Sequence, residues 1–126
     1  MKKFFSQYRI IFYFSNLVLI MEYIYPGSLI GCFIFKDCKI QPQITKDFII
    51  STNHFCSFFL LSLIGFFTYL RPNQFYVMIL FLILLSIILE MLHLIIPERS
   101  FEYKDLFGNI FGVLSIIIIN FFFKKI

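Results

Sequence analysis

The chain predicts an all-α membrane protein, with four transmembrane helices in a compact bundle forming one domain over residues 1–126. Hydrophobic residues make up 60% of the sequence and charged residues only 14%, whereas about a quarter of a soluble domain is charged. Mean hydropathy is +0.91. The apolar residues also collect in runs near the ~20 residues that a helical crossing needs. A chain of 126 residues has room for at most about five such runs, and the polar breaks select four. Runs so continuously apolar are helices and not barrel strands, because each backbone group must be paired within its own segment.

The first span, about 10–25, follows the basic Lys2, Lys3 and Arg9 and is broken by Pro26-Gly27. Residues 28–35 are apolar but too short to cross, so they either extend a tilted first helix past the proline or lie at the interface. Residues 36–47 are polar, include Pro42 and form a loop. The second span, about 48–70, ends at Arg71-Pro72-Asn73-Gln74, a turn short enough to join only antiparallel neighbours. The third, 75–96, stops at Pro97, and the fourth, 106–123, ends before Lys124.

The net charge of +4 sits largely at the chain ends, on Lys2, Lys3, Lys124 and Lys125. Such residues set topology, and no nucleic-acid partner is expected. With both termini inside, Lys2, Lys3, Arg9, Arg71, Lys124 and Lys125 share the inner side, against Lys36, Lys39, Lys46, Arg99 and Lys104 outside. The first helix usually dominates orientation, and its basic start has no nearby acid. Both termini are therefore expected in the cytoplasm. No small-residue cleavage site follows the first run, although Leu29-Ile30-Gly31-Cys32 has the form of a lipoprotein processing site, interrupted upstream by Glu22 and Pro26. Cys32 and Cys38 could instead pair outside.

The polar residues within the apolar runs carry the functional signal. An ionised carboxylate at a span centre costs ~2.5–3.5 kcal/mol on insertion scales, so Glu90 is expected to face the protein interior with a partner. His93 lies on the same helix face, three residues on. His54 enters the second span at a similar depth. Arg99 offers a planar donor fork, for which the partners are Asp105 or an anionic headgroup. Asp105 complements the start of the fourth helix. Asn109 and Gly112 continue its face, expected to turn toward the third helix, and Gly108-x-x-x-Gly112 permits close helix approach. Glu22 either forms another wall of this pocket or ionises at the interface.

As they stand, Glu90-x-x-His93-x-x-x-Pro97-x-Arg99-Ser100-Phe101-x-x-x-Asp105-x-x-x-Asn109-x-x-Gly112, with His54-Phe55 upstream, resemble the VanZ-like family of small bacterial membrane proteins. The resemblance covers about residues 53–115. It implies a multi-pass protein of the bacterial cytoplasmic (inner) membrane with a link to the envelope and to glycopeptide resistance, and it names no reaction. The family usually has Gln where this chain has His93, and an acidic-basic pair where Ile50, Ser51, Thr52 and Asn53 stand here. Either that pair's role is missing here or Asp47 takes it over.

Glu-x-x-His is also how helical bundles present metal ligands, with His54 and Cys56 available to complete a set. Gln is a poor ligand, so the resemblance argues against this, and no metal or cofactor is expected. The expected site comprises His54, Glu90, His93, Arg99, Asp105 and Asn109. Its favoured role is binding a membrane lipid, a lipid-linked envelope component or a membrane-protein partner. The rival is a small membrane enzyme, with Glu90 or His54 as acid or base and Arg99 holding an anionic substrate. No nucleophile stands beside a base at a known spacing, which favours binding. Four helices are too few for a self-contained alternating-access transporter, so transport would require a homo-oligomer.

Overall fold

A computed structural model describes the backbone of residues 2–124 and the side chains of residues 7–124. Lys125 and the side chains of Lys2 and Lys3, used above as topology signals, lie outside the described residues. The fold is all-helical, without strands among the described residues. Its helices are α1 (Lys2–Ile24), α2 (Thr52–Thr68), α3 (Pro72–Leu92) and α4 (Tyr103–Lys124).

Helix α1 buries Phe12, Asn16, Leu19 and Tyr23, a single stripe at helical spacing. Pro26 and Gly27 end it, and Gly27 sits at φ +89°, a conformation that a side chain disfavours. The stretch 28–35 does not extend α1. It forms a separate short segment containing the π-helical turn Gly31–Phe35, closed back by Ser28 N–H donating to Cys38 O (2.8 Å) and by a Cys32–Cys38 disulfide. That disulfide occupies the Cys32 thiol, which the lipoprotein alternative would have needed free.

The span expected over 48–70 starts later as a helix, at Thr52. Asp47 Oδ1 accepts the Thr52 N–H (3.2 Å) and Ser51 is extended (φ −69°, ψ 119°), so these two residues define the entry. Phe48 and Ile49 are left outside it and exposed. Helix α3 begins three residues before the expected Phe75, with Pro72 in its first turn, where a missing N–H costs nothing. It ends at Leu92, because the N–H groups of His93, Leu94 and Ile95 turn back to the carbonyls of Glu90, Met91 and Leu92. Helix α4 starts at Tyr103, ahead of the expected Leu106.

The glycine face of α4 packs against α2, not against α3 as expected. A Cβ on Gly108 would lie 2.7 Å from Ser51 O, and one on Gly112 would lie 2.6 Å from Phe55 O. Only hydrogen at these positions lets the two backbones approach so closely. The apolar core beside this seam contains Phe58, Leu61, Met78, Leu82, Leu89, Val113 and Ile116.

Polarity is distributed inside out. Asn16, His54, Ser62, Ser86, Glu90, His93 and Asn109 are buried, while Phe14, Leu17, Leu60, Phe67, Leu80, Leu84, Phe111 and Ile118 are exposed on the four helices. Helices α3 and α4 are long and apolar enough to cross a membrane. Helix α2 is equally apolar but has 17 residues. Helix α1 is diluted by Arg9, Asn16 and Glu22.

A polar cluster and a groove at one end of the bundle

The C-terminal ends of α1 and α3 meet the N-terminal ends of α2 and α4, so polar residues far apart in sequence converge at one end of the bundle. Tyr23 comes from α1, His54 from α2, Glu90 from α3, and Asp105 and Asn109 from α4. His93 caps α3. Five of the six expected site residues therefore stand together, and Arg99 lies at their edge.

Glu90 is fully buried. Its Oε1 accepts the backbone N–H of Glu102 (3.2 Å) and lies 3.3 Å from His93 Nδ1. Its Oε2 has no hydrogen-bond partner and lies 3.9 Å from His54 Nδ1. The other nitrogen of His93, Nε2, is 3.0 Å from the Tyr23 carbonyl. A carbonyl can only accept, so that nitrogen carries hydrogen. His93 thus ties the end of α3 to the end of α1 through its Nε2–H. Its ring also stacks on that of Tyr23, centroids 5.7 Å apart.

The Tyr23 hydroxyl donates to Asn109 Oδ1 (2.7 Å) and lies 3.0 Å from His54 Nδ1, which is itself 3.1 Å from Asn109 Oδ1. Since the single hydroxyl proton points to Asn109, the contact to His54 is satisfied when Nδ1 is the donor. The opposite nitrogen, Nε2, then faces Asp105 Oδ2 at 3.5 Å.

Of the two partners expected for Arg99, the structure removes one. Asp105 is not its partner: the guanidinium donates through Nη2 to Glu22 O (2.7 Å) and through Nε to Tyr25 O (3.2 Å). These carbonyls belong to the end of α1, where helical partners run out and positive charge is favourable. Asp105 instead lies in the first turn of α4 beside His54. Among the described residues no carboxylate lies within ion-pair distance of Arg99. Burial holds the guanidinium below the ordinary arginine value, and the more distant Glu22 carboxylate offsets part of that.

Asp47 joins the loop before α2 to the start of α4, through Lys104 Nζ at 3.1 Å. Burial pushes its carboxyl up, but the bonds from Lys104 and the Thr52 N–H outweigh this and hold it below the usual aspartate value. It therefore braces the entry to α2 against the start of α4. Cys56 is a half-buried free thiol outside the cluster. Among the described residues, the ligand-bearing side chains that come close enough to share an ion are His54, Glu90 and Asp105, not a set built from Glu90, His93, His54 and Cys56.

Beside the cluster runs a groove of about 650 Å³ between α1, α2 and residues 41–44. Glu22, Gln41, Asn53, His54 and Arg99 line its end near the cluster, and Phe14, Val18, Leu60 and Ile64 line it further along the helices. Glu22 is thus a wall of the groove, half-buried. The residue that sequence reasoning missed is Tyr23. Its signal was the stripe Phe12, Asn16, Leu19, Tyr23, which places a phenol on the inward face of the first helix.

No family model, curated protein or solved structure matches this chain.

Proposed function

We propose that this chain is a VanZ-like membrane protein of four antiparallel spans that binds an amphipathic envelope lipid, or a lipid-linked envelope component, with its headgroup at Arg99 and its tail along the α1–α2 groove. The observation that carries this reading is Arg99, a half-buried cation in a groove wall with no carboxylate within ion-pair distance among the described residues. After two bonds to carbonyls, the guanidinium keeps further N–H donors for a phosphate or carboxylate. The apolar continuation of the groove suits an acyl or isoprenoid chain.

The inside-out distribution of polarity supports four spans, since each helix presents large apolar side chains outward and polar ones inward. At ~1.5 Å per residue α2 rises about 26 Å, short of a ~30 Å core, and the non-helical residues flanking it make up the difference. The proposed placement is the bacterial cytoplasmic membrane, with both termini in the cytoplasm and the cluster at the outer face. The VanZ-like assignment rests on the motif residues and on their convergence.

The test is titration of dodecyl phosphate into the protein in a neutral detergent, read by intrinsic tyrosine fluorescence or by calorimetry. Saturable binding is expected, and Val18→Trp, which fills the groove from an exposed position, is expected to abolish it. Equal binding by the variant would contradict the reading. A second reading, acid–base chemistry on the same lipid, rests on His54, which lines the groove with Asp105 behind it.

A further inference from the structure

The lipid reading leaves three groups of the cluster unexplained. Glu90 Oε2 has no donor. His54 Nε2 and Asp105 Oδ2 face each other at 3.5 Å, beyond a good hydrogen bond for these atoms. With hydrogen on Nδ1, the neutral ring presents a lone pair to a carboxylate oxygen, which is repulsive unless something positive lies between. Among the described residues neither Glu90 nor Asp105 has a Lys or Arg within ion-pair distance, and Lys104 is engaged with Asp47 and Glu102.

We propose that His54, Glu90 and Asp105 form a binding site for a first-row divalent transition ion. One ligand atom from each lies within 4.8 Å of the other two. Two ligands ~2.1 Å from an ion at a tetrahedral angle stand ~3.4 Å apart, the separation of the His54 and Asp105 atoms within a tenth of an ångström or so. Glu90 would supply the third ligand through Oε2, which would thereby gain the partner it lacks.

The surroundings are those of a ligand set. His54 is oriented through Nδ1 by Asn109 Oδ1, and Glu90 is fixed through Oε1 by the Glu102 N–H. Such outer bonds set the direction of the ligating atoms. One imidazole with two carboxylates favours ions of the Zn2+, Co2+ or Mn2+ kind, since Ca2+ and Mg2+ prefer oxygen alone. An ion can reach the site because His54 lines the groove and the Asp105 side chain is 15% exposed. The proposal does not depend on the lipid reading, and its test uses protein without added lipid.

Detergent-solubilised protein freed of metal with a chelator is dialysed against Co2+ and, separately, Zn2+. One equivalent of Co2+ per chain is expected, with visible d–d absorption that Zn2+ abolishes and that alkylation of Cys56 leaves unchanged. Glu90→Gln and Asp105→Asn are each expected to weaken binding at least about tenfold, while Glu98→Gln, at an exposed acid outside the cluster, binds as before. Absence of the Co2+ bands in the folded natural protein overturns the proposal, whatever the variants do. So does undiminished binding in either cluster variant that remains monodisperse.

Discussion

The Tyr23 hydroxyl donates to Asn109 Oδ1 across 2.7 Å, joining the first helix to the fourth where both border His54. Tyr23 is buried and surrounded by the rings of His54, Phe58 and His93. Tyr23→Phe keeps those ring contacts and removes the hydroxyl from two polar neighbours. A loss of about 1–2 kcal/mol is expected, the usual scale for a buried hydrogen bond. Thermal unfolding in detergent measures it, and an unchanged midpoint would mean that the phenol is not part of the network.

The seam between α2 and α4 depends on two glycines. Gly112→Leu is expected to reduce accumulation in the membrane and to lower the melting temperature, because backbone and not a flexible side-chain end stands in the way. Gly112→Ala is expected to do the same to a smaller degree. Normal accumulation and melting of both would place this face against lipid.

For Arg99 the prediction separates anchoring from binding. A lysine cannot bond both Glu22 O and Tyr25 O in the plane that the guanidinium spans. Arg99→Lys is expected to cost about 1 kcal/mol of stability while weakening dodecyl phosphate binding several-fold. Equal affinity in the variant would confine Arg99 to holding the end of α1.

Topology is open to direct labelling. Cys32 and Cys38 are joined, so they do not label until reduced. Single cysteines replacing the exposed Glu98 and Asn73 report the two membrane faces. In intact cells a membrane-impermeant maleimide is expected to label Glu98→Cys and to spare Asn73→Cys. The reverse pattern would put the cluster on the cytoplasmic side.

Much of this arrangement was legible in the residues. The all-α architecture follows from apolar runs separated by Pro26-Gly27, Arg71-Pro72 and Pro97, since proline lacks the N–H that a continuing helix requires. Glu90, His93 and Asp105 were legible because polar side chains in apolar helices turn inward. What was not legible depends on how helices pair, and sequence spacing fixes a face without naming its neighbour. The face bearing Gly108 and Gly112 was expected toward α3 and meets α2. Asp105 was one of two partners expected for Arg99, which instead reaches the carbonyls of α1, acceptors that every sequence carries and none advertises. The four-residue delay of α2 similarly reflects Asp47 accepting the Thr52 N–H, a local bond that hydropathy does not register.

The most direct test of the central claim is native mass spectrometry of the protein extracted from its own membrane in a mild detergent. One anionic lipid or lipid-linked headgroup per chain is expected to co-purify with the natural protein, and to be depleted in Arg99→Gln and Val18→Trp at matched protein levels. A natural protein that carries no bound lipid, or variants that retain it in the same amount, would contradict the account.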